Sequence, residues 1–331
     1  MMYWWLLYVF FLLPIAIMAQ RGGICYDPLH VGPTVFSAET IANDMIQIKA
    51  NGFTHVRTFE STYGNGIEMG PLITQAGLIA ALSVRLQGET QEESHQQLMS
   101  AVEAAKTGNA AYIFIGNENL AHQDSVPQQM LEYIQYAKAN VPSHVLVGTV
   151  QRNTEFLDPN RRNLTGFDNL LNQSQIVGVN VHPFFSPNLD FNDAINNVRD
   201  QWNAVVANYG PVAHKLALTE VGWPSGGTND DVGGNYGSVQ AAERFYSDFA
   251  SWSMPLAQDR TYYFQMYDQP YKGEFGGPVF ETKFGLFTAN GTQKFSLPPV
   301  QAAAVQQGSS ALIPASTPAA PAGEGNTERD V

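Results

Sequence analysis

Eight short apolar runs, rich in β-branched and aromatic residues, alternate along this chain with stretches of helical periodicity. The runs lie near 22–26, 53–59, 78–84, 112–117, 145–150, 176–181, 215–220 and 261–267. Between them the clearest helices read from Ala38 to Ala50, Glu92 to Lys106, Val126 to Ala139, Phe191 to Asn208 and Ser238 to Ser253. Ser37 stands where a helix cap is needed before Ala38, with Thr40 in place of the preferred Glu or Gln three residues on. Strand followed by helix, repeated, is the pattern of a parallel sheet with crossover helices. Eight such units in about 275 residues predict a single-domain α/β fold, the (β/α)8 TIM barrel.

Two of the runs end on a carboxylate. AYIFIGNEN (111–119) stops at Glu118, and LALTEVGWPS (216–225) stops at Glu220, each with a glycine two positions away. By the strand count Glu118 closes the fourth strand and Glu220 the seventh, so both are expected on the catalytic face of the barrel. A single Glu is most often a solvated or capping residue. Two at strand exits point instead to one site with two carboxylates, the equipment for cleaving an acetal: one acid protonates the leaving oxygen and one carboxylate attacks the sugar carbon.

The motifs that surround this pair resemble glycoside hydrolase family 17, the β-1,3-glucanases. They are GICYDP at 23–28, VRTF at 56–59, IGNEN at 115–119, VNVHPFF at 179–185, LTEVGWPS at 218–225, and YDQPYK at 267–272 followed by ETKFGLF at 281–287, in that order. The resemblance covers about residues 22–297 and implies a (β/α)8 barrel acting with retention of configuration. Carried over by position, it makes Glu118 the general acid/base, Glu220 the nucleophile and Asn117 a contact to the sugar 2-hydroxyl, with Lys272 and Glu281 as auxiliary charges in the cleft. Two departures fall near the sugar sites: Gln269 stands where plant members carry a glutamate, and His182 where the family often has Tyr, as in its microbial branch.

A nucleophilic mechanism sets the two carboxyl groups about 5 to 5.5 Å apart, against roughly 6.5 to 9.5 Å for inversion, and the shorter spacing is expected here. Carboxyls that close do not both ionise freely, so the acid/base should keep its proton while the nucleophile titrates lower. Lys272, if it enters the cleft, favours the charged form of whichever carboxylate it neighbours. Sugar rings stack on aromatic faces, and the candidates are Tyr26, Phe184, Phe185, Trp223, Tyr236, Tyr267, Tyr271 and Phe275, each equally able to serve as packing. Trp223 leads that group, three residues past Glu220. Arg57 either braces a carboxylate inside the barrel or meets substrate. His182 bonds a hydroxyl, bonds the nucleophile or is structural.

The remaining sequence narrows partners and location. Thirty acidic residues against 17 basic ones, a net of −13, make nucleic acid and anionic membrane surfaces poor partners, whereas a neutral β-1,3-glucan is not disfavoured. No metal or phosphate motif occurs, so no metal and no cofactor are expected. The apolar stretch at 3–18, followed by Ala19-Gln20, reads as a signal peptide over residues 1–19 whose positive charge is the N-terminal amine. A secreted protein of the extracellular space or cell wall follows, a monomer without membrane contact in its mature form. Three glycosylation sequons, at Asn163, Asn172 and Asn290, agree with export. Cys25 is the only cysteine, so no intrachain disulfide is available and stability falls to a large core.

The hydrolase domain is expected over 20–299, with Gly-rich loops at 226–237 and 273–278 as cleft walls. The Ala/Pro/Ser-rich segment 300–331 is expected to be a disordered tail. The resulting expectation is a secreted, endo-acting glucan endo-1,3-β-D-glucosidase. Its rivals are a β-1,3-glucan transglucosylase on the same residues, a non-catalytic glucan-binding protein, and a wall-structural role through the tail.

Overall fold

A computed structural model describes residues 21–299 except 33–35, 65, 87, 254–259 and 275. The apolar stretch before residue 20, the tail from 300 and Phe275 lie outside the described residues. Eight parallel strands form the centre: β1 (Arg21–Tyr26), β2 (Phe53–Thr58), β3 (Ile79–Val84), β4 (Tyr112–Asn117), β5 (Leu146–Arg152), β6 (Ile176–Asn180), β7 (Leu216–Glu220) and β8 (Tyr262–Tyr263). They follow one another in chain order, and β8 returns to β1 through the pairs Gly23↔Tyr262 and Ile24↔Tyr263. A single bridge, Leu218↔Thr261, closes β7 onto β8. The fold is a (β/α)8 barrel.

The helices outside the barrel are α1 (Ala38–Ala50), α2 (Met69–Gln75), α3 (Gln91–Lys106), α4 (Gln128–Asn140), α5 (Asn153–Leu157), α6 (Phe167–Gln173), α7 (Ala194–Asn208), α8 (Val239–Ser253) and α9 (Tyr271–Glu274). Each long helix buries one stripe, as α1 does with Ile41, Met45 and Ile48. The Ser37 cap works with Thr40: Thr40 N donates to Ser37 Oγ at 3.2 Å and Ser37 N to Thr40 Oγ1 at 2.7 Å. The Thr hydroxyl thus performs the reciprocal half of a capping box. At α3 the usual pairing, Thr90 with Glu93, does the same.

The eighth strand departs from expectation. It was expected over 261–267 but keeps only two residues, because the chain beyond Tyr263 takes other partners. Met266 N donates to Cys25 O at 3.0 Å and Gln265 N to Phe284 O at 3.2 Å, while Leu286 N and Phe287 N reach Gln265 O and Met266 O at 3.0 and 2.9 Å. The segment 284–287, the end of the ETKFGLF motif, therefore lines the exit of β8. Lys294, whose side chain is largely covered, pins it with bonds of 2.6 Å to Asp268 Oδ1 and 3.2 Å to Lys283 O. The short helices α2, α5, α6 and α9 are not among those read from the sequence.

Candidate active site

At the exit of β4 the IGNEN sequence leaves regular strand geometry. The β4–β5 register slips between Phe114 and Asn117, and Gly116 takes a φ of 75°. A Cβ there would collide with the side chains of Asn119 and Met130, so both the backbone angle and the space require glycine. Glu118 itself has a φ of 55°, the left-handed region that a non-glycine residue enters at a cost. Its amide is held by Val150 O at 2.9 Å. The bulge brings Asn117 and Glu118 together at the barrel mouth, and Asn180 at the end of β6 meets both: its Nδ2 donates to Glu118 Oε1 at 2.7 Å and to Asn117 Oδ1 at 3.3 Å.

Glu220 closes β7 beside a second register shift, after which Asn180 pairs with Glu220. Its Oε1 accepts from Arg57 Nη1 at 2.7 Å, and its Oε2 lies 3.1 Å from His182 Nε2. Arg57 is fully buried, and its other arm, Nη2, donates to Asn117 Oδ1 at 2.9 Å. A continuous set of contacts thus runs from Glu220 through Arg57, Asn117 and Asn180 to Glu118.

The two carboxyls are pushed in opposite directions. Burial raises the pKa of Glu118, and the neighbouring charge of Glu220 raises it further, against the opposing bond from Asn180. Burial acts on Glu220 as well and is the largest single influence there. It is outweighed by the Arg57 charge and the bonds from His182 and Arg57, which together bring Glu220 down to about 2. The two groups are thus shifted apart, Glu118 toward its protonated form and Glu220 toward its charged form.

Both carboxyls line a cavity of 850 Å³ together with Asn117, Asn180, His182, Lys272 and Glu281. Lys272 enters the cavity, but the carboxylate it meets is Glu281, at 3.3 Å, and its Nζ lies 5.5 Å from the Phe264 ring centroid. Five aromatic residues expected to meet sugar, Tyr26, Phe184, Trp223, Tyr236 and Tyr267, do not line this cavity. Trp223 is 1% exposed, packs edge-on against Phe184 and donates its indole N–H to Tyr236 O. Phe184 is enclosed between Trp223, Phe280 and Phe284. The Tyr26 hydroxyl is spent on Asp44 at 2.7 Å, and Tyr267 stacks on His30 and bonds Gln47.

The aromatic residues that line the cavity are Phe185 and Tyr271, both among the candidates, together with Phe59, Tyr63, Phe264 and Phe284. Phe185 is 42% exposed, next in sequence to the buried Phe184. Tyr236 is exposed but lies outside the cavity, against Phe191. Arg57 braces Glu220 and does not line the cavity, and neither does Gln269, which is buried with its amide donating to Asp27 O at 3.2 Å. Asn180 and Gln265 were not singled out from sequence. Asn180 obeys the same rule that found Glu118, a polar residue at a strand exit. Away from the carboxyl pair the cavity continues past Asp27, Glu60 and Arg85, where burial pushes Glu60 up to about 7 despite Arg85 at 3.0 Å. Among the described residues no cluster of His, Cys, Asp or Glu could hold a metal ion, and no helix is long and apolar enough to cross a membrane.

A parallel barrel whose mouth joins two carboxyls of opposite pKa shift in one cavity is the arrangement of a barrel glycoside hydrolase. Residues 23–285 match the BtgE/BtgC glycoside hydrolase domain, and the chain belongs to that family. It is 26% identical over 216 residues to a probable beta-glucosidase btgE of Aspergillus flavus, covering 65% of this chain and 34% of that protein. It is 27% identical over 190 residues to a glucan endo-1,3-beta-glucosidase btgC of Emericella nidulans, covering 52% and 28%. The chain spans about a third of the length of these curated relatives. In fold it is similar to an endo-laminarinase from Formosa (TM-score 0.67, 17% identity, 82% and 84% of the two chains). It is likewise similar to a Rhizomucor miehei β-1,3-glucanosyltransferase in complex with laminaritriose (TM-score 0.66, 20% identity, 85% and 98%).

Proposed function

We propose that this protein is a secreted, endo-acting β-1,3-glucan hydrolase of the microbial branch of glycoside hydrolase family 17, working by double displacement. The observation that carries the reading is that Glu118 and Glu220 line one cavity at the barrel mouth with their pKa values shifted in opposite directions. Glu220, held ionised by Arg57 and His182, attacks the anomeric carbon. Glu118, held protonated, donates to the departing glucosyl oxygen, and the sugar remains on Glu220 as an ester. Glu118, now a carboxylate, then takes a proton from water as the water attacks the same carbon, which restores both carboxyls and retains configuration. The relatives, a probable beta-glucosidase and a glucan endo-1,3-beta-glucosidase, support a β-glucan as substrate. The apolar stretch at 3–18 and Ala19-Gln20 support export.

The test is a time course of products from a linear β-1,3-gluco-oligosaccharide, followed by mass spectrometry with Glu118→Gln and Glu220→Ala in parallel. Shorter products from the native protein, and none from either variant, are expected. Products longer than the substrate would make it a transglucosylase on the same residues. A native protein inert on every β-1,3-glucan would leave a glucan-binding protein.

A further inference from the structure

Gln265 lines the cavity and is 1% exposed, yet its carboxamide Nε2 has no hydrogen-bond partner in the protein. A buried, unpaired amide donor opposes folding, so its presence in a cavity wall calls for a partner from outside the chain. The backbone of the residue is fixed at both ends, with N bonded to Phe284 O at 3.2 Å and O to Leu286 N at 3.0 Å. Phe264 and Phe284 line the cavity with it. The side chain therefore starts from a set point in a largely apolar wall, the usual setting for a polar group that orients a ligand.

Position around the barrel says which part of a glycan it meets. Gln265 follows β8, which is joined to β7 by the Leu218↔Thr261 bridge and by Phe264 N donating to Val221 O at 2.9 Å. Glu220 ends β7, whereas Glu118 extends β4, on the opposite side of the barrel from β8. In double displacement the leaving sugar departs past the acid and the retained sugar stays on the nucleophile. Gln265 is thus on the side of the retained sugar.

We propose that Gln265 Nε2 donates a hydrogen bond to a ring hydroxyl of the glucosyl unit that becomes attached to Glu220. This rests on the function proposed above. The final torsion of a glutamine side chain is broad and roughly two-fold, so the amide turns toward a bound sugar at little cost. The hydroxyl supplies the partner that the free protein lacks, and a donor that weakens the fold becomes one that favours bound glucan.

Gln265→Met removes the amide at nearly the same length, and Gln265→Leu repeats the test in case the thioether repacks. Each is made on a Glu118→Gln background so that titration calorimetry with a β-1,3-linked glucohexaose reads binding without turnover, beside thermal melts. The expected result is a Kd raised about two- to ten-fold, the loss of one neutral hydrogen bond, with a melting temperature that holds or rises. An unchanged Kd overturns the inference and leaves the proposed function standing. A melting temperature that falls in both variants also overturns it, because the amide is then bonded within the fold. If the background protein with Gln265 intact binds no β-1,3-gluco-oligosaccharide, the proposed function fails and this inference falls with it.

Discussion

Arg57 Nη1 stands 2.7 Å from Glu220 Oε1 while Nη2 of the same guanidinium stands 2.9 Å from Asn117 Oδ1. One buried cation therefore ties the end of β7 to the end of β4 and supplies the charge that ionises Glu220. Removing it leaves a buried carboxylate uncompensated, which costs about 3–5 kcal/mol. Arg57→Met should lower the melting temperature accordingly and raise the Glu220 pKa. Arg57→Lys should recover only part, because an ammonium cannot span both partners as a fork. Thermal melts of both variants, with native-like stability for Arg57→Met as the outcome against the bracing role, check this.

The carboxyl pair predicts the pH profile. Glu220 is lowered from 4.5 to about 2 in the fold, so its contribution is fully present above pH 4.5 and is lost as pH falls toward 2. It amounts to about 3 kcal/mol. Glu118 is raised, so activity should fall on the alkaline side as it loses its proton. Because the Glu220 charge is the second cause of that rise, Glu220→Gln should lower the Glu118 pKa. Carbon-13 NMR of the Glu118 carboxyl in the two proteins measures the difference; an upward or absent shift contradicts the coupling.

The roles within the pair are separable by chemical rescue. If the proposed roles hold, with a glucoside bearing a good leaving group Glu118→Ala should still form the covalent intermediate, and added azide should release a β-glucosyl azide. Glu220→Ala lacks the nucleophile, so azide attacks directly and should give the α-anomer. Proton NMR of the products reads both, and exchanged anomers would exchange the assignments.

Among the aromatics, packing and binding should part cleanly. Trp223→Ala empties a buried site and should cost about 3–5 kcal/mol of stability. Phe185→Ala truncates a 42%-exposed side chain at the cavity and should leave stability nearly unchanged while raising KM a few-fold. A Phe185 variant with native KM would show that this ring carries no sugar.

Local patterns made much of the barrel readable. The bounds of α1 at Ala38–Ala50 and of β4 at Tyr112–Asn117 coincide with their sequence reading, because periodicity, cap residues and Gly or Pro breaks act over a few neighbours. Thr40 completed the cap of α1 by the geometry of its hydroxyl, where residue statistics favour Glu or Gln. The two strand-end carboxylates were legible because charge at the end of an apolar run is conspicuous. The shortness of β8 was not, since it depends on segment 284–287 returning from about twenty positions further along the chain.

The order of strands and helices, and the presence of two acidic strand exits, follow from composition at neighbouring positions. Which side chains reach the cavity does not. Phe184 and Phe185 are adjacent and chemically identical, yet one is enclosed and the other faces the cavity. Asn180 becomes the link between Glu118 and Asn117 only where β4 and β6 converge at the barrel mouth, and Arg57 becomes the brace of Glu220 across 163 positions of sequence. These outcomes turn on register shifts, a glycine forced to positive φ and barrel closure, and contacts between distant segments exist only once the strands have closed on themselves.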